Sequence, residues 1–239
     1  MAETSGTTLL PVKPKADPRL RIVEALMQLC GERRFEEITI RDITARANLS
    51  LADFRDTFPS KAAALAGLNR ILDRAVLDQN FDEMTKETQR ERLFDVLMRR
   101  LEAMAPYRNG LREVVAWLKR DPLSASQMNR AVVNSMRFML EAAGVDNEGP
   151  TAALKLQGLA LVWTQIVAVW LDDDDPGLTR TMAEVDRELS RGEQLVARVN
   201  QLDGLAAPFR RLAGVALQAG ERLVERRRTR DETSAPNND

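Results

Sequence analysis

The sequence predicts an all-α protein, and three observations predict it. Ala, Leu, Arg and Glu dominate, and all four are strong helix formers. The alternating Val, Ile and Thr runs that mark strands are absent, and apolar residues instead recur at helical spacing between Pro, Gly and Asp breaks. At 44% hydrophobic and 30% charged residues the chain has the mix of a soluble globular protein. Its 239 residues suit one large domain or two modest ones.

Residues 1–17 read as a disordered polar tail, rich in Thr and Pro. The first helix begins at Pro18, with Asp17 as its N-cap and proline at the first helical position. Ile22, Leu26, Leu29 and Cys30 fall on one face beside Val23 and Ala25, and the helix is expected to run out near Arg33. Cys30, the one cysteine, reads as a small buried hydrophobe. Phe35 follows as the first apolar anchor. Thr39 and Asp42 form a capping box for a short helix carrying Ile40, Ile43 and Ala47. Asn48 supplies a residue that tolerates the left-handed turn ending it. Ser50 and Asp53 repeat the box, with Phe54 and Phe58 directed inward. Pro59-Ser60 ends that helix, and Ser60 caps a long one through Leu65, Leu68, Ile71, Leu72, Ala75 and Val76.

This run of Phe35, Thr39-Ile40-Arg41-Asp42-Ile43, Ala47-Asn48-Leu49-Ser50, Phe54, Phe58-Pro59-Ser60-Lys61 and Leu65 resembles the DNA-binding head of the TetR family over residues 19–75. The resemblance implies a three-helix helix-turn-helix head over 18–75. It implies double-stranded DNA as partner, met by Thr39, Arg41, Ser50, Leu51, Ala52, Arg55, Thr57 and Lys61. Three positions depart from the family pattern. Arg34 and Asn48 stand where glycine is usual, and Arg55 stands where a tyrosine normally reaches phosphate. Asp53 and Asp56 flank Arg55, and phosphate repels carboxylates. The guanidinium of Arg55 could serve a phosphate or a guanine edge.

Residues 83–92 read as a polar joint. Helices are then expected over 93–104, 108–119, 124–143, 151–171, 176–200 and 206–228, separated at Pro106, Asp121-Pro122, Gly144–Pro150, Asp172–Asp175 and Asp203-Gly204. Asp175-Pro176 reads as an N-cap and first-position pair, which explains the aspartate run without a metal. Residues 76–203 form the expected ligand-binding and dimerisation bundle. Met98, Trp117, Met136, Met139 and Trp163 are candidate walls of a pocket for a small apolar ligand or lipid. Trp163, Ile166, Val167 and Trp170 share one face, expected in the core or a two-fold interface. The resemblance implies that 151–171 and 176–200 form the homodimer contact, so those four are the candidate interface residues.

Composition narrows the function classes. Lys and Arg total 35 against 36 Asp and Glu, so DNA binding must rest on local charge. The chain has no histidine and one cysteine, which removes the usual catalytic triads and zinc clusters. The 12 glycines are dispersed and form no phosphate loop. No enzyme and no cofactor are expected. The N-terminus lacks signal-peptide order, and Leu159–Leu171 is about a dozen residues where a membrane span needs roughly twenty. A cytoplasmic protein is expected.

A second resemblance covers 93–195. Arg92-Leu93, Arg99-Arg100-Leu101, Trp163 to Leu171 with its acidic turn, and Thr181 with Asp186-Arg187-Glu188-Leu189 are similar to a lipid-binding accessory family of coenzyme Q biosynthesis. That family shares the fold without the DNA role and implies a membrane-touching C-terminal helix. The segment 204–239 offers one: an apolar stripe from Phe209 and Leu212 to Val224 beside Arg210, Arg211 and five further arginines. A peripheral membrane contact through 206–230 is the alternative to its packing on the body.

Overall fold

The computed structural model describes residues 17–81, 86–148 and 152–194. The chain divides into two compact units, 1–189 and 190–239. Of the second, only 190–194 are described, and they are helical. The first unit is all-α, with no strand among its described residues. Its helices are α1 Pro18–Cys30, α2 Ile40–Ala47, α3 Leu51–Thr57, α4 Lys61–Leu77, α5 Gln89–Met104, α6 Arg108–Arg120, α7 Pro122–Ala142 and α8 Ala152–Leu171. A further helix, α9, occupies 179–189.

The head forms as its caps dictate. Asp17 accepts the Arg19 amide at 2.9 Å, and α1 stops at Gly31. In both short helices the capping box is complete: Thr39 exchanges bonds with Asp42, and Ser50 with Asp53. Between them Asn48 takes the left-handed conformation at φ 50°. Ile22, Leu26, Leu29, Cys30, Ile43, Phe54, Phe58 and Leu65 close the core among α1 to α4. A Cβ on Gly67 would sit 2.8 Å from the Phe58 ring, so glycine there lets the ring lie against α4. Helix α4 packs on α1 at the head and on α5 and α7 in the body, joining the two regions.

Three helix starts differ from expectation. The polar joint was expected to last to residue 92, but α5 begins at Gln89 on a third capping box, Thr88 with Glu91. Its first turn, Gln-Arg-Glu-Arg, is wholly polar and shows no apolar periodicity. Helix α7 begins at Pro122 rather than 124, with the Asp121 carboxylate accepting the Ser124 amide and hydroxyl at 3.1 and 2.7 Å. The same Asp-Pro pair at 175–176 does not start a helix. Gly177 follows that proline, Leu178 turns left-handed at φ 51°, and α9 begins at 179 instead of 176. Asp175 accepts the Gly177 and Thr179 amides there, while Asp173 accepts the Thr181 amide and hydroxyl at 2.9 and 2.7 Å. Both carboxylates are thereby held below their ordinary value by the hydrogen bonds they accept.

Arginines close the far ends of several helices. Arg21 donates to the Ala47 and Asn48 carbonyls at the end of α2, and Arg92 to Ala143 at the end of α7. Arg108 donates to the Trp170, Leu171 and Asp173 carbonyls, joined by Arg112 on Leu171 at 2.7 Å. A cation at the negative end of a helix satisfies orphan carbonyls and the dipole together. Sequence patterning shows such residues only as solvated charges, because the partner lies on another helix.

Candidate nucleic-acid interface

Helices α2 and α3 place most of the expected DNA residues on one exposed ridge. Thr39, Arg41, Ser50, Leu51, Ala52 and Arg55 are exposed, and Thr57 is half-buried. Leu51, an apolar side chain at the start of α3, is 48% exposed. Inward-facing Phe54 fixes the rotation of α3, which leaves Leu51, Ala52, Arg55 and Asp56 on the outer side. The hydroxyls of Thr39 and Ser50 are both engaged with their box carboxylates, at 2.7 and 2.8 Å. Thr57 donates back to the Asp53 carbonyl at 2.6 Å.

Most cations of the head already have partners. Arg46 makes two 2.8 Å bonds to Glu32, and Arg33 pairs with Asp42 at 3.1 Å. Accepting bonds from Thr39 and Arg33 holds the Asp42 carboxyl below its ordinary value. Lys61 lies differently from a simple phosphate contact. Its ammonium donates to the Phe35 carbonyl and to Ile38 O at 2.7 Å, and sits 4.3 Å from the centre of the Phe35 ring. Burial lowers its pKa. Arg41 and Arg55 are exposed and have no ion pair among the described residues. Local positive charge therefore concentrates on these two side chains, opposed on α3 by the exposed carboxylate of Asp56.

A joint ties this ridge to the body. The Phe35 ring lies on Trp117 of α6 with centroids 4.0 Å apart, and the Phe35 amide donates to Glu113 at 3.2 Å. Arg120 bridges Glu113 at 3.1 Å and Glu36 at 3.3 Å. Trp117, expected as a pocket wall, belongs to this joint. Met136, Met139 and Trp163 are buried in the core, and Met98 is half-buried against it. A charge lies among them that helical periodicity does not reveal. Arg100 of α5 is 1% exposed, 5.5 Å from the Trp163 ring, and donates to Asp73, with Asn69 at 3.1 Å. Ser135 donates to the same Asp73 oxygen. Burial lowers the Arg100 pKa while Asp73 opposes that shift. The Nε of Arg100 has no hydrogen-bond partner among the described residues.

The four expected interface residues lie elsewhere than a partner could reach. Trp163, Ile166, Val167 and Trp170 are all buried within the single chain, because this face of α8 meets α7 and α6. The opposite face holds Leu154 and Leu161, each 56% exposed, with Gln165 exposed and Val162, Ala168 and Val169 half-buried. Helix α8 is long and apolar enough by length and composition to cross a membrane, yet eight of its residues are buried in the core. Phe209, Arg210, Arg211 and Leu212 lie outside the described residues, as do the rest of 206–230. No group of three or more His, Cys, Asp or Glu that could hold a metal occurs among the described residues.

No protein-family model and no curated protein matches the chain. Solved structures do. The TetR transcriptional regulator from Nitrosomonas europaea ATCC 19718 is similar at a TM-score of 0.60 and 19% identity, over 74% of this chain and 99% of that one. A TetR transcriptional regulator from Rhodococcus sp. RHA1 is similar at a TM-score of 0.50 and 19% identity, over 73% and 95%. The chain has the TetR fold.

Proposed function

We propose that this chain is a DNA-binding transcriptional regulator of TetR type, acting as a two-fold dimer that represses until its body takes up a small ligand. The observation that supports it best is the ridge: two complete capping boxes hold α2 and α3 so that Arg41 and Arg55 project without ion pairs among the described residues. A short helix with an exposed Leu, Ala and Arg is of a size to enter the major groove, where Arg meets guanine and an apolar side chain meets the thymine methyl. Lys61 acts in this reading as a fastening of the head, while Arg41 and Arg55 act on the duplex. The exposed face of α8 is the proposed dimer contact, which sets the distance between two heads.

The test is binding of purified full-length protein to the region upstream of its own gene, followed by fluorescence anisotropy at two salt concentrations. Arg55→Ala and Arg41→Ala should each weaken specific binding by about 1–3 kcal/mol. Asp56→Asn should strengthen binding, since it removes a carboxylate that phosphate repels. Lys61→Met should lower the melting temperature with little change in salt dependence. Absence of any salt-sensitive preference for that DNA would overturn the reading.

A further inference from the structure

Between α1 and α6 the joint opens into a cleft of about 460 Å³. Clefts of this size suit small organic molecules. Glu24 and Gln28, one helical turn apart on α1, form one wall with Glu32 beyond them, and Tyr107 and Asn109 form the other. The two helices touch at the floor. A Cβ on Gly110 would lie 2.3 Å from the Met27 carbonyl, so glycine lets α6 backbone approach α1 backbone.

The charges in the cleft are unequal. Glu32 is neutralised by its two bonds to Arg46. Glu24 is half-buried and makes no hydrogen bond or ion pair among the described residues. Tyr107 is half-buried too, and its hydroxyl has no partner among them. Burial raises the Tyr107 pKa, and the Glu24 charge raises it further, so the carboxylate lies within electrostatic reach of the ring. A carboxylate left half-buried without a counterion is unfavourable, and a cation beside it recovers that loss.

We propose that this cleft binds a small organic monocation, an ammonium or guanidinium on an apolar body, through Glu24 and the face of Tyr107. The carboxylate supplies the counter-charge, the ring a cation–π contact, and Met27 an adaptable apolar surface. An anion would meet two carboxylates, and a metal ion would find a single uncompensated ligand. The site lies across the seam of head and body, so a bound cation stabilises the joined arrangement by linkage.

Tyr107 is the chain's one tyrosine. Incorporating 3-fluorotyrosine therefore gives a single fluorine resonance at the cleft. Full-length protein is titrated with benzyltrimethylammonium chloride, and with N,N-dimethylbenzamide as a neutral control of similar size. The expected result is a saturable shift with the cation alone. Glu24→Gln should weaken the affinity about fivefold. Gln28→Lys, which sets an ammonium in the cleft, should abolish the shift, and it decides the matter if the first variant does not fold. No saturable shift, an equal response to the amide, or unchanged affinity in the folded variants would overturn the proposal. No DNA is present, so the outcome is independent of whether the chain reads DNA.

Discussion

Cys30 shows how one buried atom couples to solution conditions. Its thiol is pushed up from 9.0 to about 12, mainly by burial and then by Glu113. The folded state therefore keeps a proton that the unfolded chain releases above pH 9. This stabilising contribution is complete below pH 9 and is lost between pH 9 and about 12, with a slope of at most about 1.4 kcal/mol per pH unit. Urea melts at pH 8 and pH 11 should show a smaller alkaline loss for Cys30→Ala than for the parent. Equal losses in both proteins would place the alkaline sensitivity elsewhere. Arg100 is the opposite kind of residue, a buried cation held by Asp73 and Asn69, with the Ser135 hydroxyl donating to the same Asp73 oxygen. Removing one partner strands a charge, so Asp73→Leu should cost about 3–5 kcal/mol. The double change Asp73→Leu with Arg100→Met should recover much of that in denaturant melts.

Among elements, the caps of the head were readable and the crossings were not. Thr39 with Asp42 and Ser50 with Asp53 depend on residues three apart, so local chemistry alone places those two helices. Asn48 is legible for the same reason, since its left-handed turn is a property of one residue. Gly110 carries no such local sign. It sits inside α6, where glycine weakens a helix, and its purpose lies across the interface against the Met27 carbonyl. Gly110→Ala would gain helix propensity yet force α6 from α1, for a net destabilisation of about 1–3 kcal/mol. A thermal melt showing stabilisation instead would mean that the two backbones can separate freely.

For the whole molecule the proposed dimer turns on the two faces of α8. Trp170 is 2% exposed, whereas Leu161, nine residues earlier on the same helix, is 56% exposed. Gly158 beside it faces open space, which allows another helix to approach closely. This uncovered apolar face is the proposed dimer contact. Leu161→Glu should therefore yield folded monomers by sedimentation, while Trp170→Glu should leave misfolded or insoluble protein. If Leu161→Glu protein remains a dimer with the parent's sedimentation coefficient, the contact lies away from this face of α8.

The all-α class, the head and its two short capped helices follow from the sequence by itself, because each depends on residues within a turn or two of one another. The outer ridge of α3 was legible too: Phe54 marks the inside, and Arg55 falls outside by periodicity. Tertiary structure decided the rest. Lys61 reads as an available cation until the fold brings it to the Phe35 and Ile38 carbonyls. Trp117 read as a pocket wall until α6 met Phe35. Helix α8 is apolar around nearly its whole circumference, so no polar stripe distinguishes its inner face from its outer one. Periodicity orients a helix only when it has two unlike faces, and a charge reveals its partner only once the chain has folded back on itself.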